Sequence, residues 1–89
     1  MTRESDVEKH LIKRIREKGG EVRKARWLGI DGCPDRRVLG VGWVELKSPT
    51  GELSIRQLRE IEKMRKHGER VDVLCSIRDV DNYVNGLVF

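Results

Sequence analysis

The tightest constraint on the fold is an alternating stretch interrupted by two glycines. Val38 to Val41 and Trp43 to Ser48 read as two strands, with Gly40 and Gly42 marking the turn of a β-hairpin. A turn centred near Gly40 carries Asp35, in Gly32-Cys33-Pro34-Asp35-Arg36, opposite the neighbourhood of Glu45. On the second strand the two-residue period puts Trp43, Glu45 and Lys47 on one face, and Val44 and Leu46 on the other. Two carboxylates and an ammonium are therefore expected to converge at one end of a sheet. Carboxylates that close repel one another unless a cation sits between them, and oxygen donors suit a hard divalent ion such as Mg²⁺. A lysine two positions along the same face can meet a phosphate or an attacking water. Such a set suffices for metal-assisted phosphodiester hydrolysis.

The 89 residues are expected to form a single domain with a modest core, one that a partner subunit would help to stabilise. With 38% charged residues the chain is very polar, yet its apolar residues are periodic, which argues for a folded domain rather than disorder. The excess of 19 Lys+Arg over 15 Asp+Glu, net +4, favours a polyanionic partner. No apolar run approaches the roughly 20 residues that span a bilayer, and the N-terminus lacks a signal-peptide core, so a cytoplasmic location is expected. Cys33 and Cys75 are far apart and have no zinc-spaced partner, so neither a zinc site nor a disulfide framework is indicated. Cys33 reads as a turn residue and Cys75 as a core residue.

The first helix is expected from Asp6 to Lys18, capped by Ser5 and stopped by Gly19-Gly20, with Val7, Leu11, Ile12 and Ile15 as its apolar stripe. Glu8 falls inside that stripe. Either it completes a capping box, Ser5-x-x-Glu8, or it leans over the sheet end and helps to hold a metal. Glu21 to Trp27 reads as a strand, and Leu28 to Pro34 as the loop that delivers Asp35, with Asp31 a turn residue. A second helix runs from Ile55 to Lys66 under a Ser54 cap, with Ile55, Leu58, Ile61 and Met64 on its buried side. Gln57 has the same ambiguity as Glu8, as capping-box partner or as a site residue. Arg56 and Arg59, near that helix start, are candidates for phosphate contact. Val71 to Cys75 is a short strand, and Ser76 to Asn85 a last helix packing Val80, Tyr83 and Val84 inward. His10 is placed on the solvent side of the first helix and His67 at a helix end, and neither receives a catalytic role. The order α-β-β-β-α-β-α predicts an α/β fold, a mixed sheet flanked by helices.

Gly32-x-Pro34-Asp35-Arg36, then Val44-Glu45-Leu46-Lys47, then Leu53-Ser54-x-x-Gln57, resembles the VRR-NUC family of the PD-(D/E)XK nuclease superfamily. The resemblance runs from the helix carrying Glu8 to the strand ending near Ser76, and looks like the stand-alone phage and bacterial type. It implies a restriction-endonuclease-like αβββαβ core and Mg²⁺- or Mn²⁺-dependent cleavage of DNA. It also implies Asp35, Glu45 and the Leu46 main-chain carbonyl as metal ligands, with Glu8 adding a ligand directly or through water. Lys47 would orient the attacking water, and Gln57 would support the site from the opposite wall. Lys24, at a position where the family carries a lysine, is an expected DNA contact, as is Arg36. Because one small domain holds one site, a homodimer acting on branched DNA such as a four-way junction is expected.

Two other readings compete. A nucleic-acid-binding module without catalysis would use the same basic surface, with Glu45 and Lys47 merely paired on a strand. A protein-interaction adaptor would need an exposed apolar patch and no metal.

Overall fold

A computed structural model describes all residues, Met1–Phe89. The elements are α1 (Glu4–Glu17), β1 (Val22–Lys24), β2 (Arg36–Val38), β3 (Gly42–Leu46), α2 (Ile55–Lys66), β4 (Val71–Leu74) and α3 (Ile77–Asn85). The strands form one sheet in the order β1-β2-β3-β4, antiparallel for the first two pairings and parallel for β3 with β4. The parallel pairing follows from the crossover through α2. No helix is long and apolar enough to cross a membrane.

The hairpin forms as its spacing predicts, with β2 starting and ending earlier than expected, at Arg36–Val38. Its register pairs Arg36 with Val44 and Val38 with Gly42, so Gly40, at φ 78°, sits at the turn. Gly42 could carry no side chain, because a Cβ there would lie 2.7 Å from the Arg70 carbonyl oxygen. β1 is shorter than the expected Glu21–Trp27, since its partner β2 supplies only three residues to pair with it.

The start of α1 corrects the expected cap. The helix begins at Glu4 because the Asp6 carboxylate accepts from the Arg3 backbone N–H at 2.8 Å, which closes the first turn two residues early. Ser5 therefore lies inside the helix, and there is no Ser5-x-x-Glu8 box. α2 has the expected bounds and the expected Ser54 cap.

The two sheet faces are unequal. α1 and α3 cover one of them with a cluster of twelve buried residues, among them Val7, Leu11, Ile15, Val38, Val44, Val80 and Val84, all fully buried. α2 covers the other, where the only buried apolar residues are Ile61, Met64 and Val71. Ile55 and Leu58, expected on the buried side of α2, are 67% and 44% exposed. At the start of that helix it is Gln57, not Ile55 or Leu58, that turns to the sheet, through Glu45. Cys75 is half-buried rather than in the core. His10 does not face solvent: its Nε2 lies 2.7 Å from Asp81 Oδ1, which Arg14 also contacts at 2.6 Å, stitching α1 to α3.

Candidate functional site

The site sits where the β2–β3 ladder ends. Carrying the register one step past the Arg36–Val44 pair sets Asp35 opposite Glu45, and opposed residues of neighbouring strands share a face. The face is that of α2, because Trp43 of the adjacent pair packs against the Ile61, Met64 and Val71 cluster, with Arg37 over its ring at 5.2 Å. Asp35 and Glu45 are thus brought together by the hairpin alone.

Glu45 is nearly buried, at 8% exposure. Burial is the main cause that pushes its carboxyl up to about 7, and the neighbouring charge of Asp35 adds to it. Lys47 and Arg36 oppose that shift without cancelling it, and Glu4 reinforces it. A carboxylate so placed is short of positive charge. The donors are all oxygen, which suits a hard divalent cation.

A backbone oxygen completes the set. Trp43 and Lys47 donate their N–H groups to the Arg70 and Leu74 carbonyls of the β4 side. The alternation of a strand therefore directs the Leu46 carbonyl the other way, towards β2. The residue opposite it in register would be Pro34, which has no N–H to give. The proline that precedes Asp35 thus leaves a carbonyl without a ladder partner beside the two carboxylates.

Gln57 resolves its ambiguity by using both ends of its amide. Its Oε1 accepts from the Ser54 N–H at 2.9 Å, and its own N–H donates to Ser54 Oγ at 3.1 Å, a complete capping box. Its Nε2 donates to Glu45 Oε1 at 3.2 Å. The cap of α2 therefore orients the carboxylate on β3.

Glu8 has a different partner from either expectation. Its Oε2 accepts from Arg36 Nη2 at 2.5 Å, and Arg36 Nη1 lies 3.2 Å from Asp35 Oδ1. Arg36 comes from the α1 face of the sheet, is 6% exposed, and reaches round the ladder end to Asp35. It was expected on DNA. The structure instead turns it inward, because two carboxylates hold its guanidinium. Glu8 thus reaches Asp35 through the guanidinium that the two carboxylates share.

Of the remaining basic residues, Lys24, Arg56 and Arg59 are exposed, and Arg56 pairs with Asp31 at 2.9 Å. Asp31 is thus an ion-pair partner as well as a loop residue. Sequence reasoning missed Glu4 and Trp27. Glu4 lies one helical turn before Glu8, and that spacing on one face was the available signal. The Trp27 indole donates from Nε1 to the Pro34 carbonyl at 2.7 Å, tethering the residue beside Asp35. A cleft of about 600 Å³ opens there, lined in part by Trp27 and Asp35.

No family model matches the chain. It is 36% identical over 80 residues to "Putative nuclease p44" of Acyrthosiphon pisum secondary endosymbiont phage 1, covering 85% of this chain and 86% of that protein. A solved structure described as a VRR_NUC domain superposes with a TM-score of 0.83 at 36% identity, covering 97% of this chain and 98% of the other.

Proposed function

The chain belongs to the VRR-NUC nucleases, and from that premise we propose that it is a divalent-metal-dependent DNA endonuclease whose centre lies between Asp35 and Glu45. The observation that carries this reading is the buried Glu45, pushed up to about 7 with Asp35 beside it, a pair that calls for a cation. Asp35, Glu45 and the Leu46 carbonyl would hold Mg²⁺ or Mn²⁺. When bound, such an ion supplies a water of lowered pKa and a positive charge beside the scissile phosphate. Lys47, on the same strand face, orients the attacking water and balances negative charge building on the phosphate. Gln57 fixes the Glu45 carboxylate. Glu8 acts through Arg36, which it shares with Asp35, and so sets the direction of the Asp35 carboxylate.

The 89 residues act as one nuclease domain, with Lys24, Arg56 and Arg59 as phosphate contacts. One such centre cuts one strand, so we take the working form to be a homodimer on branched DNA such as a four-way junction. That activity belongs to DNA repair or recombination in the cytoplasm of a bacterial or phage-infected cell.

The test is cleavage of labelled single-strand, duplex, flap and four-way-junction DNA with Mg²⁺, Mn²⁺ or EDTA, alongside the solution mass. Metal-dependent cutting, strongest on branched DNA by a species of twice the chain mass, is expected. Salt-sensitive binding with no cutting under any metal would favour the non-catalytic module instead. An active monomer would remove the dimer.

A further inference from the structure

The cleft that Asp35 borders extends past the proposed metal centre, and its aromatic and apolar lining has no part in the chemistry above. Trp27 is 37% exposed and Ile30 44% exposed, and both line it. An indole this accessible is normally mobile. Here Nε1 is bound to the Pro34 carbonyl, and the ring lies 4.9 Å from that of Trp43 at an interplanar angle of 45°. The tether uses the only polar atom of the indole, so what remains is a fixed, apolar π surface. Lys24 and Arg26 line the same cleft, and neither belongs to any ion pair of the molecule. The cleft's outer acid, Asp31, is neutralised by Arg56.

We propose that this cleft receives an unpaired nucleobase of the strand being cut, stacked on Trp27, with its neighbouring phosphate on Lys24 and Arg26. A volume of about 600 Å³ accommodates one nucleotide. Stacking on an aromatic face accepts any base, and backbone contacts by free cations add affinity without sequence preference. A base inside an intact duplex is not available to the cleft. Selection of branch points, flaps or gaps therefore arises within each subunit. The inference rests on the nuclease reading in placing the scissile phosphate at Asp35, and it deepens that reading by naming what the enzyme selects.

The test is binding in EDTA of a flap DNA carrying 2-aminopurine, scanned along its unpaired nucleotides, against the same DNAs with an abasic residue at that position. With the natural chain, one position is expected to show quenched fluorescence. Removing the base there should weaken binding roughly 5- to 150-fold. Trp27→Ala should lose both the quenching and the preference for a base, whereas Trp27→Phe, which keeps a ring but not the Pro34 bond, should retain most of the preference. Equal binding of base and abasic DNA by the natural chain at every position would overturn the proposal, as would a base preference surviving in Trp27→Ala. Metal-dependent cleavage without a base preference would leave the nuclease reading standing and remove this cleft. A base preference without cleavage in Mg²⁺ or Mn²⁺ would do the reverse.

Discussion

The two faces of the sheet divide the labour of the molecule. On the α1/α3 face, twelve residues are buried in one cluster, and the helices are further joined through His10, Arg14 and Asp81. On the α2 face only three apolar residues are buried, and Ile55 and Leu58 near the helix start are exposed. Yet that thin face carries Trp43, Glu45, Lys47 and Gln57. Stability is concentrated where no chemistry is placed, and the charged residues of the candidate centre lie where little apolar packing has to be given up for them. Arg36 is the exception that joins the faces, rooted on one and gripping Asp35 of the other.

The largest effect should fall on the thick face. Leu11→Ala empties a fully buried position and should cost about 3–5 kcal/mol, seen as a lower urea midpoint. Met64→Ala on the thin face should cost about 2 kcal/mol or less. Equal losses would break the comparison. Lys47→Ala should reverse it, lowering cleavage roughly 100- to 1,000-fold while the urea midpoint barely moves.

Gln57 lies on the boundary between these effects. Gln57→Ala removes the side-chain half of the capping box and the grip on Glu45, and should cost about 1 kcal/mol of stability together with a roughly 10- to 100-fold drop in metal affinity. Gln57→Glu sharpens the distinction. Its carboxylate can still accept from the Ser54 N–H, so the cap survives, but it adds negative charge beside Glu45. A normal melt with weakened cleavage is expected.

The same carboxylate also gives the molecule a pH dependence. In metal-free protein Glu45 titrates at about 7, against an ordinary value of 4.5. The folded state thus holds this proton more tightly. The stabilisation is fully present below 4.5 and is lost as pH rises through about 7. In EDTA, melting should therefore fall across that window, and Glu45→Gln should flatten the fall. Added Mn²⁺ should restore stability most at the alkaline end, where no proton has to be displaced.

Apart from the start of α1, where Asp6 outcompeted Ser5, local signals were legible in the sequence and distant ones were not. Ser54-x-x-Gln57 fixed the start of α2, and the glycines placed the hairpin, because caps and turns are decided by neighbouring residues. The Asp35–Glu45 pairing followed from the hairpin register. For Glu8 the sequence left open a capping-box role and a site role, and the partner it takes, Arg36, lies 28 residues away, beyond the reach of any spacing rule. Ile55 and Leu58 have the period of a buried stripe, yet whether a stripe is covered depends on what the rest of the fold lays against it. Trp27 gave no periodic signal, since its role comes from a tether to Pro34 across a loop.

The most direct test of the centre is titration of Mn²⁺ into the natural chain, Asp35→Asn and Glu45→Gln at pH 8, read by calorimetry with melting curves alongside. Binding by the natural chain, lost in both variants while their melts stay cooperative, is the predicted result. Undiminished Mn²⁺ binding in either variant would contradict the pairing of these two carboxylates around an ion.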